Sequence, residues 1–221
     1  LSRLEAPDWS LEEELWRQGS RLVAGVDEAG RGALCGPVVA AAVILRRGGE
    51  APPYRDSKTL SAPRRRELAE RLRAEAVAFG VGFASAAEVD ALNVLVATKL
   101  AARRALEALD PRPDGLVTDY LRLGLQLPEL AVAAADARSF QVAAASVLAK
   151  TVRDAHMARL AVDHPGYGLE RHKGYGVKEH LRALARLGPC PEHRRSFSPV
   201  ARAVQQGDRP THARAVECCN P

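Results

Sequence analysis

Residues 23–38 read VAGVDEAGRGALCGPV, and no other stretch limits the possible folds as much. An apolar run from Arg21 ends on two adjacent acids, Asp27 and Glu28. A short turn with glycines at 30, 32 and 36 follows, and Pro37–Leu45 is then a second uninterrupted β-rich run. Two strands joined this tightly exclude the reading that the glycines first invite. A dinucleotide-binding fingerprint should open a helix whose N-terminus holds the pyrophosphate. Here a strand follows, and the spacing G-x-G-x-x-x-G is one residue off. The glycines instead allow backbone to approach a ligand closely. Neighbouring strand residues face opposite ways, but at a strand end beside Gly30 the Glu28 side chain can curl back towards Asp27. Burying two unpaired carboxylates is costly, which marks them as site residues. The plainer alternative is an ion pair with Arg31 or Arg21.

The rest of the chain reads as strands and helices in alternation. Ser10 and Glu13 form a capping box for a short helix that stops at Gly19. Ser61 caps a helix to Glu75, with Pro63 in its first turn, and Ala76–Ala84 alternates as a third strand. Asn93 caps a helix to Leu109 with Leu95, Ala102, Leu106 and Leu109 on one stripe. Leu116–Asp119 and Leu130–Ala135 are short strands. Ser139 opens a helix to Val162 with the stripe Val142, Ala145, Ala149, Val152, His156 and Leu160. Residues 164–176 form a loop, and Lys178–Leu187 a helix stopped by Gly188. Three early strands and two later ones separated by helices predict a mixed-sheet α/β domain with a helical C-terminal extension. The expected organisation is an N-terminal helix over 1–20 within one domain, a body over 21–200 and a loose tail over 201–221.

Composition narrows the function classes. Aromatic residues make up only 5% of the 221-residue chain, so the core rests on Ala, Val and Leu. No apolar run approaches the ~20 residues of a membrane span. The charged N-terminus lacks the apolar stretch of a signal peptide, so a cytoplasmic location is expected. The four cysteines are too few and too oddly spaced for a disulfide scaffold. Cys190-x-x-His193 has half of a zinc spacing, without a second matching pair. Net charge is +5, yet Arg171–Arg214 alone holds ten Lys or Arg against Glu179, Glu192 and Asp208, a local net of +7. The remainder is close to neutral at −2. A basic quarter on a neutral body points to a polyanion, with Lys173, Arg182, Arg186, Arg194 and Arg195 as candidate phosphate contacts. A solvated surface is the plainer reading.

Two further acids close apolar runs: Asp119 ends GLVTD and Asp136 ends ELAVAAAD. Acids at neighbouring strand ends make a carboxylate cluster. Two unit charges ~4 Å apart repel by about 4 kcal/mol at an effective dielectric of 20, so four need a counter-charge. An all-oxygen donor set favours Mg²⁺ or Mn²⁺ over zinc, and paired metals of this kind commonly act on phosphates.

The segments GVDEAGRGALCGPVVAAAVIL, DSKTLS, AAASVLAKTVRD, HKGYG and HRRSF resemble, in order, the signature segments of bacterial ribonuclease HII, over about Leu22 to Val200. The resemblance implies a ribonuclease H-like fold, a five-stranded mixed sheet flanked by helices. It implies hydrolysis of the RNA strand of RNA–DNA hybrids and nicking on the 5′ side of single ribonucleotides in duplex DNA, leaving 3′-OH and 5′-phosphate ends. Asp27, Glu28, Asp119 and Asp136 match the metal-binding acids of a two-metal site. Gly30, Arg31 and Gly32 match the element that reads the 2′-OH at the RNA–DNA junction, and Tyr175 the ring that packs on the sugar there. Lys58 and Lys150 match lysines near the phosphates. The chain departs from the family at Ala33 (usually Pro), at Thr118-Asp119-Tyr120 (usually Asp-Gly) and at Ala134-Ala135 before Asp136 (usually Lys-Gly). Type HIII relatives carry GKG and an extra N-terminal domain, neither present here. No aromatic residue follows Val200, so no sliding-clamp motif is expected, and a monomer is. Two rivals differ in class: a junction resolvase or integrase of the same fold, against which GRG and HKGY stand, and a non-catalytic nucleic-acid binder, whose phosphate contacts four acids would repel.

Overall fold

The computed structural model describes residues 6–48, 52–55 and 57–207. Five strands form one sheet in the order β3-β2-β1-β4-β5: β1 Val23–Ala29, β2 Val38–Ile44, β3 Ala78–Ala84, β4 Gly115–Asp119 and β5 Glu129–Val132. β1 runs antiparallel to β2, and β2 to β3. β4 runs parallel to β1, and β5 to β4. The sheet is therefore mixed, as the tight β1–β2 connection and the helical crossover to β4 require.

The helices are α1 Ser10–Arg17, α2 Ala62–Glu75, α3 Ala86–Leu92, α4 Val94–Glu107, α5 Phe140–Asp163, α6 Leu169–His172, α7 Lys178–Leu187 and α8 Ser198–Gly207. Helix α4 covers one face of the sheet, where Ala97, Ala101 and Ala105 pack with Ala24, Val26, Ala40 and Ala42. On the other face α5 and α2 bury Ala144, Leu148, Leu68 and Leu72 against Ala41 and Val43. The alanine-rich contacts bring backbones close. A Cβ on Gly25 would stand 2.2 Å from the Gln141 carbonyl carbon of α5, and one on Gly82 2.0 Å from the Ala101 oxygen of α4. No helix among the described residues is long and apolar enough to cross a membrane.

Several local expectations need correction. No capping box forms at Ser10; Trp9 is the N-cap, and the Asp8 carboxylate accepts the Ser10 N–H at 2.8 Å. Leu95 is 47% exposed, because α4 turns that position away from the sheet. An unforeseen helix, α3, precedes α4, opened by a capping box between Ser85 and Glu88. The strand expected over Leu130–Ala135 ends at Val132. Ala134 takes a left-handed conformation (φ 55°), and Asp136 sits in a 3-10 turn, Ala135–Ala137. The 164–176 loop contains α6, and α8 occupies the beginning of the segment expected to be loose. Residues 208–221 lie outside the described residues.

Candidate active site

The parallel register between β1 and β4 builds the site. The last paired residues are Val26 and Thr118, so the next residues along both strands are Asp27 and Asp119. Asp27 is only 6% exposed and faces α5, and Glu28 follows where β1 gives way to the turn. Asp27, Glu28 and Asp119 line one cleft of about 470 Å³ with Gly30, Arg31, Gly32, Ser57, Lys58, Lys150 and Tyr175. Asp136 is not one of the lining residues, and its Oδ2 lies 3.3 Å from Lys58 Nζ. Asp119 Oδ1 accepts the Ala135 N–H at 3.0 Å, which ties the end of β4 to the turn bearing Asp136. Nine of the ten residues expected at the site thus line this cleft, and the tenth meets it through Lys58.

The carboxylates crowd one another. Burial, and next the Glu28 carboxylate, push Asp27 well above the usual carboxylate range; the Ser146 hydroxyl opposes this. Burial raises Glu28 as well, and Arg31, whose Nη1 lies 3.1 Å from Glu28 Oε1, acts against it. The Arg31–Glu28 pair expected as the plainer alternative therefore exists, yet Glu28 still faces the cleft. Oxygen donors alone, with unfavourable mutual charge, fit a hard divalent cation such as Mg²⁺ or Mn²⁺.

Two arginines set the turn, one given no role in the sequence reading and the other expected at the phosphates. Arg153 and Arg194 are both fully buried. Arg153 donates to the carbonyls of Pro37 (3.0 Å), Lys173 (3.0 Å) and Cys35 (3.2 Å). Arg194 donates to Gly36 O from Nε and Nη2 and to Arg31 O at 2.9 Å. Arg194 is therefore not a phosphate contact, whereas Arg182, Arg186 and Arg195 are exposed. The signal for Arg153 was its position: it shares a stripe of α5 with Ala149, Met157 and Leu160, all buried. A guanidinium on an apolar stripe needs acceptors. Gly30 is fitted to it, because a Cβ there would lie 1.9 Å from Arg153 Nε. At Gly32 a Cβ would meet nothing nearer than Tyr175 Cε1 at 4.0 Å, so the position opens into the cleft. The Tyr175 ring is flanked by Arg153 Cζ, 5.5 Å from its centroid, and Lys150 Nζ at 5.9 Å.

A mixed five-stranded sheet that delivers acids from β1 and β4 to a single cleft defines the ribonuclease H fold. Residues 24–200 match the protein family described as Ribonuclease HII. A ribonuclease HII of Thermus thermophilus is 55% identical over 193 residues, covering 87% of this chain and 94% of the relative. Among solved structures, the ribonuclease H2 of Pyrococcus horikoshii OT3 superposes with a TM-score of 0.72 at 23% identity, over 84% of this chain and 98% of that one. The Bst-RNase HIII structure in complex with Mn²⁺ gives 0.64 at 19%, over 88% and 73%; both show likeness of fold. The chain belongs to the ribonuclease HII family, and is accordingly an endonuclease of the ribonuclease H class.

Proposed function

We propose that this cleft hydrolyses the RNA strand of RNA–DNA hybrids and nicks duplex DNA on the 5′ side of a single embedded ribonucleotide, leaving 3′-OH and 5′-phosphate ends. The observation that carries this reading is the juxtaposition of the three converging acids with the Gly30–Gly32 turn in one cleft. Asp27, Glu28 and Asp119 would hold divalent cations, Mg²⁺ or Mn²⁺, with Asp136 adjacent through Lys58. Bound there, such cations supply charge neutralisation at the phosphate and an activated water. The remaining groups bind and orient. Lys58 and Lys150 place positive charge along the cleft. The open backbone at Gly32 lets a 2′-OH approach, and that hydroxyl is what marks a ribonucleotide in DNA. The Tyr175 ring is a platform for a sugar lacking that group. Outside the cleft, exposed Arg182, Arg186 and Arg195 offer charge to the duplex backbone. The Asp90 carboxylate accepts the Arg195 and Ser196 amides, which fixes the loop that carries Arg195.

The experiment compares kcat/KM on a continuous hybrid and on a single-ribonucleotide duplex, with Mg²⁺ and with Mn²⁺, for the wild type and Tyr175→Ala. Metal-dependent cleavage of both substrates is expected, with the variant losing more on the single ribonucleotide. Equal losses on both would make the ring a packing residue. Binding without cleavage under either metal would overturn the catalytic reading.

A further inference from the structure

Away from the cleft, three metal-ligating side chains from distant segments meet in the core. The ligand atoms of Cys35, Cys190 and His193 all lie within 4.8 Å of one another. Both cysteines are free and buried, and His193 is 1% exposed. Backbone pairing brings them together: Cys35 and His193 form an antiparallel bridge, and Gly36 N–H donates to Glu192 O at 2.8 Å. The spacing of Cys190 and His193 offered half of a zinc site. Cys35, far upstream in the chain, supplies what the linear spacing lacked.

The protonation of the histidines follows from their partners. The Tyr175 carbonyl can only accept, so His180 donates to it from Nδ1 at 3.0 Å. His180 Nε2 must then accept from His193 Nε2–H, 3.0 Å away. This leaves the lone pair of His193 on Nδ1, where it accepts the Cys190 N–H at 3.1 Å and lies 3.1 Å from Cys190 Sγ. A ligating imidazole whose other N–H is fixed by a hydrogen bond is the usual arrangement at metal sites.

We propose that Cys35 Sγ, Cys190 Sγ and His193 Nδ1 form a binding site for a thiophilic divalent cation, Zn²⁺ in the first instance. Binding forms two metal–thiolate bonds and one metal–imidazole bond, the metal replaces the Cys190 N–H at the Nδ1 lone pair of His193, and the two thiol protons leave to solvent. No electron is transferred. Bonds of about 2.0–2.3 Å set tetrahedral ligands roughly 3.5 Å apart, so the present spacing needs closure by about an ångström. Three protein ligands leave the fourth position to water. Two thiolates and a dication make a neutral centre, which suits a core already holding the Arg153 and Arg194 guanidiniums. Oxygen donors build the cleft and sulfur donors this site, so the two select different ions. Its effect would be mechanical: the metal would clamp the turn after β1 to the segment that carries Arg194.

The test uses the full chain with Cys218→Ser and Cys219→Ser, so that only Cys35 and Cys190 remain as thiols. Reduced, chelator-treated protein is titrated with Co²⁺, followed by Zn²⁺. One Co²⁺ per chain should give near-ultraviolet thiolate-to-cobalt absorption, which oxygen ligands cannot produce, and Zn²⁺ should displace it and raise Tm. The absorption should vanish in Cys35→Ser and in Cys190→Ser and persist in Asp27→Asn, which separates this site from the cleft. Absence of thiolate absorption in the unsubstituted pair would overturn the proposal, independently of how the variants fold. So would its survival in both serine variants, or a Cys35–Cys190 disulfide in the freshly isolated protein.

Discussion

Gly30 and Gly32 stand two positions apart and answer to different demands. Gly30 has φ +96° and no room for a Cβ beside Arg153. Gly30→Ala should lower Tm by several degrees, as each 1 kcal/mol is worth about 2–4 °C in a chain of this size. Gly32→Ala should leave Tm unchanged and reduce kcat/KM on both ribonucleotide substrates, since only substrate meets the new methyl group. Thermal melts beside kinetics separate the two effects. Asp27 gives a prediction of opposite sign for stability and activity. Its folded-state pKa is raised, first by burial and then by Glu28. The metal-free folded chain therefore keeps the Asp27 proton to higher pH than the unfolded chain does, and its stability falls as pH rises through that raised value. Asp27→Asn should melt higher than the wild type at neutral pH without metal, and with it below about pH 4, where both states are protonated. Its cleavage rate should drop by more than the roughly 10–100-fold that loss of an outer-shell partner costs a metal site.

Helix α5 shows how one element can serve both scaffold and site. Ser139 caps it by accepting the Val142 N–H, and Glu12 of α1 accepts from the Ser139 hydroxyl at 2.5 Å and from Gln141 N–H at 3.2 Å. Glu12 is fully buried, and its carboxyl is raised above the usual range by that burial. Glu12→Ala should destabilise the chain by about 1–2 kcal/mol through the lost cap, read as a lower denaturation midpoint with unchanged m. Where caps and periods are strong, elements were legible: Ser61, Asn93 and Ser139 all cap the helices expected of them. Legibility failed where side chains carry no signal. ELAVAAAD contains no Gly, Pro or Asn to mark the departure of β5 from the sheet, so Asp136 was expected directly at the end of a strand that in fact stops at Val132. The acids at 27, 28 and 119 were legible because a charge closing an apolar strand has few structural explanations. Arg153 and Arg194 were not, since sequence does not reveal that backbone carbonyls, rather than phosphates or carboxylates, receive them.

The charge distribution must be read with that correction. The basic quarter has a local net of +7, but Arg194 spends its charge inside the protein. Exposed Arg195 and Arg182 should contribute to duplex binding in proportion to the counterions they release, with log K falling against log salt by about 0.9 per phosphate contact. Arg195→Ala should flatten that slope by about one. Arg194→Met should leave the slope unchanged and lower Tm, because two carbonyls lose their donors in the core. Salt titrations of binding on a noncleavable duplex distinguish them.

The ties of the Gly30–Pro37 turn also dictate an order of events during synthesis. The bonds from Arg153 and Arg194 to this turn span 116 to 163 positions of sequence. A ribosome adding roughly 5–20 residues per second exposes Asp27 and Glu28 many seconds before either arginine is made. The strands can pair in that interval, but the turn beside the acids lacks its full anchor until the last tenth of the described chain emerges. The acids that line the cleft are thus among the first residues to be made, and the turn beside them is among the last parts of the fold to be fully anchored.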